Sequence, residues 1–115
     1  MSLIAVSFPI VPGKTDAWRA WLAEIQPGGA RRADFISSRK SAGVRERTFL
    51  QQTPMGDFVV VTLEGNDAES AFSRIMGVES EFNRWFVEHA SSLHGIDLGH
   101  LPAGAPSQLV VDTEG

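Results

Sequence analysis

The chain of 115 residues contains no cysteine and no tyrosine. Without thiols it can form neither a disulfide, nor a thiolate nucleophile, nor a cysteine metal site, and such a composition fits a reducing, cytoplasmic setting. Without tyrosine, one common partner for a substrate oxygen is missing. No apolar run approaches the ~20 residues that span a bilayer. The segment Met1–Val6 lacks the basic start and long apolar stretch of a signal peptide and reads as a strand. Phosphate loops are missing too, because Pro12-Gly13-Lys14-Thr15 has no upstream glycine. Ser91-Ser92 near His94 has no elbow motif around it, so serine hydrolysis finds no support. The chain carries no internal repeat and no linker, and its length suits one domain over residues 1–115, with 111–115 as a frayed tail.

Charge is scarce in one half and concentrated in another. The net charge is −4, yet residues 31–47 hold six basic groups (Arg31, Arg32, Arg39, Lys40, Arg45, Arg47) against Asp34 and Glu46. Residues 48–115 hold Arg74 and Arg84 against ten acidic groups. An acidic whole argues against nucleic acid as a partner. The basic segment is then either a solvated face paired with the acidic half or the wall of a pocket for an anion.

What is present is organised around residues 44–65. Arg45, Arg47, Phe49 and Gln51 alternate with Val44, Glu46, Thr48, Leu50 and Gln52, the period of a half-exposed strand. The run Phe58–Leu63 is β-branched and nearly continuous in apolarity, which suits a strand covered on both faces. Pro54 and Gly56 between them supply turn chemistry, so the stretch reads as a hairpin.

Ser2–Phe8 reads as another strand, with apolar residues on both faces and hence an interior position. Thr15 or Asp16 can cap a helix carrying Trp18, Trp21, Leu22 and Ile25 at helical spacing. Gln26-Pro27-Gly28-Gly29 breaks it, and a second helical piece runs over about 30–42 to Gly43. After the hairpin, Asn66 or Asp67 can cap a helix through Ala71, Phe72, Ile75 and Met76, interrupted at Gly77. From Ser80 follows the longest amphipathic helix, with Phe82, Trp85, Phe86, His89 and Leu93 as its stripe and Gly95 at its end. Gln108–Val111 reads as a short last strand.

The order β, α, β, β, α, β predicts an α+β fold. The expected architecture is a ferredoxin-like, four-stranded antiparallel sheet with its helices on one face. The second face then wants cover, which a homodimer packed sheet to sheet supplies.

The chain resembles the dimeric α/β-barrel superfamily and, more narrowly, a little-characterised bacterial family of small stand-alone proteins. The resemblance rests on Phe49–Val61, on Leu63-Glu64-Gly65, on Phe82-Asn83-Arg84-Trp85-Phe86 and on Leu93–Leu98. It implies a homodimer with a cleft between sheet and helices. It does not imply one activity, since the superfamily spans cofactor-free monooxygenases, haem-degrading enzymes, small decarboxylases and cyclases, and stress-induced proteins.

Several residues are candidates for that cleft. Trp18, Trp21, Phe49, Trp85 and Phe86 can form its walls, or simply fill a core. Gln51 can orient a carbonyl, or tie down the turn with Gln52. Arg39 and Arg47, with Arg45, can clamp a carboxylate, or pair across strands with Glu64. His89 on the apolar stripe can act as acid or base, or be a satisfied histidine. His94, Asp97 and His100 are the right ligand types for a transition metal, but their spacing follows no helix face and local capping is the simpler role. None of these residues requires a cofactor, although His89 or His94 could ligate haem iron.

The sequence therefore favours a small-molecule-binding homodimer with its ligand between sheet and helices. The alternatives are a cofactor-free monooxygenase, isomerase or decarboxylase with His89 as base, or a purely structural or protein-binding dimer. Neither nucleic acid nor membrane is an expected partner.

Overall fold

The computed structural model describes residues 1–101 and 104–115. Three strands, β1 (Ser2–Pro9), β2 (Val44–Thr53) and β3 (Gly56–Gly65), form one antiparallel sheet in the order β1-β3-β2. The hairpin pairs Thr53 with Gly56 around Pro54-Met55, and the Thr53 hydroxyl ties the turn by donating to the Gly56 carbonyl at 2.7 Å. Gly56 has a φ of 125°, a conformation that only glycine adopts without strain. β1 and β2 both run antiparallel to β3, so they are parallel to each other. Two helices, α1 (Thr15–Ala23) and α2 (Arg32–Ser41), make the crossover between them.

Register fixes the two faces. Ile4, Val6 and Phe8 stand beside Leu63, Val61 and Val59, which in turn stand beside Glu46, Thr48 and Leu50. This inner face meets α1, α2, α3 (Ala68–Gly77) and α4 (Glu81–His94) in a single core. Leu63 is the largest side chain that is fully buried, a burial that contributes roughly 1.5–3 kcal/mol. The outer face presents Leu3, Ala5, Val60, Thr62, Arg47, Phe49 and Gln51, and among the described residues no helix lies on it.

Ser80 caps α4 by accepting from the Asn83 amide at 3.0 Å, and Gly95 ends the helix in the left-handed conformation. The other expected caps are replaced. Thr15 donates its hydroxyl to Asp57 at 2.6 Å instead of capping α1, which stitches α1 to the hairpin. At α3, Ser2 accepts from the Ala68 amide at 2.8 Å, so a residue of β1 caps a helix 66 positions away.

Two sequence expectations are corrected. Residues 108–111 form no strand; Leu109, Val110 and Val111 are exposed beside the start of β1. A four-residue run after a glycine- and proline-rich segment carries too few ladder bonds to hold itself on the sheet alone. In consequence β1 is an edge strand and not an interior one. The α+β class stands, with three strands. Among the described residues, no helix is long and apolar enough to cross a membrane.

Candidate functional site

Between the inner face and the helices lies a cavity of about 50 Å³. The sheet contributes Phe8, Glu46, Thr48, Val59, Val61 and Leu63 to its wall. The helices contribute Trp18, Trp21, Arg39, Phe86, Ala90 and His94. Thr48 is its one exposed lining residue, because β2 is an edge strand that the helices do not fully cover. The cavity therefore reaches the surface at Thr48.

Four side chains give this apolar chamber its chemistry. Arg39, near the end of α2, donates from Nε to Glu46 at 2.7 Å, and both side chains are nearly withdrawn from water, with 5% and 7% exposed. Arg39 also donates from Nη1 to the Ser38 hydroxyl at 2.9 Å. Its guanidinium lies over the rings of Phe35 and Phe86, 4.6 and 4.7 Å from their centroids. Thr48 donates its hydroxyl to the second Glu46 oxygen at 3.2 Å. The result is a short polar chain, Ser38–Arg39–Glu46–Thr48, running from helix to mouth.

His94, at the end of α4, donates from Nδ1 to the Pro9 carbonyl at 2.8 Å and packs its ring 5.3 Å from that of Phe8. Burial pushes its pKa below the ordinary value of 6.5, with the Pro9 bond opposing in part, so the ring is neutral at pH 7. Trp21 buries its indole Nε1 without a partner among the described residues.

The structure brings Trp18, Trp21, Arg39 and Phe86 together as expected. The rest do not line the chamber. Arg47, Phe49 and Gln51 stand on the outer face, because the odd-numbered side of β2 points away from the helices. Arg47 pairs there with Glu64 at 3.4 Å across the strands. Trp85 is half-buried behind Trp21, 5.9 Å between ring centroids, and Arg31 covers its ring at 4.5 Å while making two hydrogen bonds to Glu81. His89 is exposed, and its Nδ1 donates to the Trp85 carbonyl of its own helix at 2.8 Å. It does not line the cavity.

The buried residues of α4 are Phe82, Asn83, Phe86, Ala90, Leu93 and His94. Ala90 is too small to announce such a stripe, and the large residues Trp85 and His89 suggested a neighbouring one. Glu46 and Thr48 were also missed. They share the even-numbered side of β2 with Val44 and Leu50, but Phe49 on the odd-numbered side left the choice of face open. Among the described residues, no group of three or more His, Asp or Glu side chains gathers as a metal site. His94 points to Pro9, while His100 donates to Asp97 at 2.7 Å on the surface.

A groove of about 430 Å³ lies on the other side of the cavity wall. Phe8, Phe72, Met76 and Leu98 line both spaces and form the partition between them. Phe8 and Phe72 stack there at 6.1 Å.

No family model, no curated protein and no solved structure matches the chain. Any functional conclusion rests on this geometry.

Proposed function

We propose that the protein is a small-molecule-binding homodimer of the ferredoxin-like, dimeric α/β-barrel kind, with its ligand between sheet and helices. The observation that carries this reading is the cavity itself, apolar except for Arg39, Glu46, Thr48 and His94. A few convergent polar groups in an apolar chamber are the mark of a ligand site. At about 50 Å³ the chamber accepts only a few heavy atoms. Larger ligands enter by movement of Met76, the flexible member of the partition, which opens the chamber toward the groove.

The fourth strand and the dimer belong to the same proposal. In the single chain residues 108–111 lie off the sheet; on dimer formation they add to the free edge of β1, and the outer faces of two copies pack together over Leu3, Ala5, Phe49 and Val60. Leu3 and Phe49 are 52% and 54% exposed in the single chain, which supports an unmet need for cover. The enzyme alternative loses its base, since His89 lies outside the chamber. A purely structural dimer is the second reading, and the small chamber volume favours it.

Protein-observed NMR decides between these two. Isobutyramide is expected to shift the indole N–H signals of Trp18 and Trp21 saturably. Ala90→Leu, which fills the chamber from α4, is expected to abolish the shift. If isobutyramide moves neither indole up to its solubility limit, the binding reading fails and the structural dimer stands.

A further inference from the structure

The basic segment 31–47 divides when it folds. Arg31 turns to Glu81, Arg47 to Glu64, and Arg32 donates to the Ile25 carbonyl at 3.1 Å. Lys40 and Arg45 are exposed. Arg39 alone reaches the chamber, and it arrives already neutralised by Glu46.

Resting on the ligand-binding reading above, we propose that the site selects an uncharged molecule, one hydroxyl or amide N–H donor on an apolar frame, and rejects carboxylates and amines. The argument is the charge count of the wall. Arg39 and Glu46 cancel at 2.7 Å, and His94, the remaining titratable group of the wall, is kept neutral by burial among its apolar neighbours, with its one proton on Nδ1 directed at the Pro9 carbonyl. An entering carboxylate meets Glu46 as well as Arg39, and an entering ammonium meets Arg39 as well as Glu46. Neither ion finds a spare countercharge to replace the water it has lost. A neutral polar group loses far less hydration, and one hydrogen bond restores most of it. Thr48 at the mouth supplies that bond, for its proton goes to Glu46 and its oxygen stays free to accept from a ligand hydroxyl or amide N–H. The ring faces of Phe35 and Phe86 close over the guanidinium, which keeps it from swinging out to meet an anion alone.

The test compares three molecules that share one isopropyl frame on the wild-type protein: isobutyramide, isobutyrate and isobutylammonium at pH 7, read by the indole signals of Trp18 and Trp21. The amide is expected to bind at least ~10-fold more tightly than either ion. Isobutyrate or isobutylammonium binding as tightly as the amide overturns this proposal while leaving a ligand site in place. No response to any of the three overturns both it and the binding reading. Glu46→Gln removes the countercharge and keeps the shape, so its preference is expected to turn toward isobutyrate. An unchanged preference in that variant also overturns the proposal. The wild-type series decides the matter whether or not Glu46→Gln folds.

Discussion

Arg39 and Glu46 are seven residues apart in the chain and 2.7 Å apart in space, one on the last turn of α2 and the other on the inner face of β2. The pair closes the α2–β2 corner at Gly43, whose φ of 75° turns the chain back. Removing one member strands the other charge away from water. Glu46→Ala is therefore expected to cost about 3–5 kcal/mol in urea denaturation. The double variant Arg39→Met with Glu46→Leu is expected to fall within about 1 kcal/mol of wild type or above it. A double variant as weak as the single one would show that the pair stabilises through more than mutual compensation.

His94 makes the fold sensitive to mild acid. Its pKa is lowered in the folded state, so the unfolded chain binds the proton more readily. Stability is complete above the unfolded value of 6.5 and falls as pH drops from there to the folded pKa, by up to about 1.4 kcal/mol per pH unit. The exposed carboxyls of Asp67, Glu81 and Asp97 are held below their ordinary values, by Ser70, Arg31 and His100 respectively, and lose their share only at lower pH. Urea midpoints at pH 8 and pH 5.5 measure the effect. His94→Asn, which keeps a donor for the Pro9 carbonyl, is expected to flatten it.

Gly65 is fixed by space. A Cβ there would press against the carbonyl oxygen of Gly43, where β3 meets the start of β2. Gly65→Ala is expected to lose about 1–3 kcal/mol or more. Gly77, with open space around it at the end of α3, serves as the control. Gly77→Ala is expected to be neutral or to gain up to about 1 kcal/mol. Thermal melts of the two variants should move in opposite directions or differ by several degrees.

Phe49 tests the dimer. It stands on the outer face opposite Val60. Phe49→Asp is expected to convert a sedimenting dimer to monomer while changing the stability of the single chain by no more than about 0.5 kcal/mol. A wild-type protein that sediments as a monomer at high concentration would remove the dimer from the account.

The site was only partly legible beforehand. Trp18 and Trp21 could be read as chamber walls because α1 has a clear helical stripe ending in the Pro27-Gly28 break. Arg47, Phe49 and Gln51 could be read as one face of β2, and they are one face. Which face the helices would cover was not written in that alternation. Phe49 suggested one side and Leu50 the other, and a strand with polar residues on both sides does not choose.

The sequence by itself determined the hairpin 44–65, the strand at 2–8, the breaks at Gln26–Gly29 and Gly77, and the Ser80 and Gly95 ends of α4. All of these depend on residues within a few positions of each other, where backbone preference and period suffice. Tertiary structure decided that Glu46 would point inward, that His94 and not His89 would meet the chamber, and that 108–111 would lie off the sheet. Those outcomes turn on partners far away in the chain. Glu46 is buried because Arg39 can neutralise it there, His94 because Pro9 offers a carbonyl 85 residues away, and the last segment stays out because four residues alone cannot outweigh the entropy of ordering them.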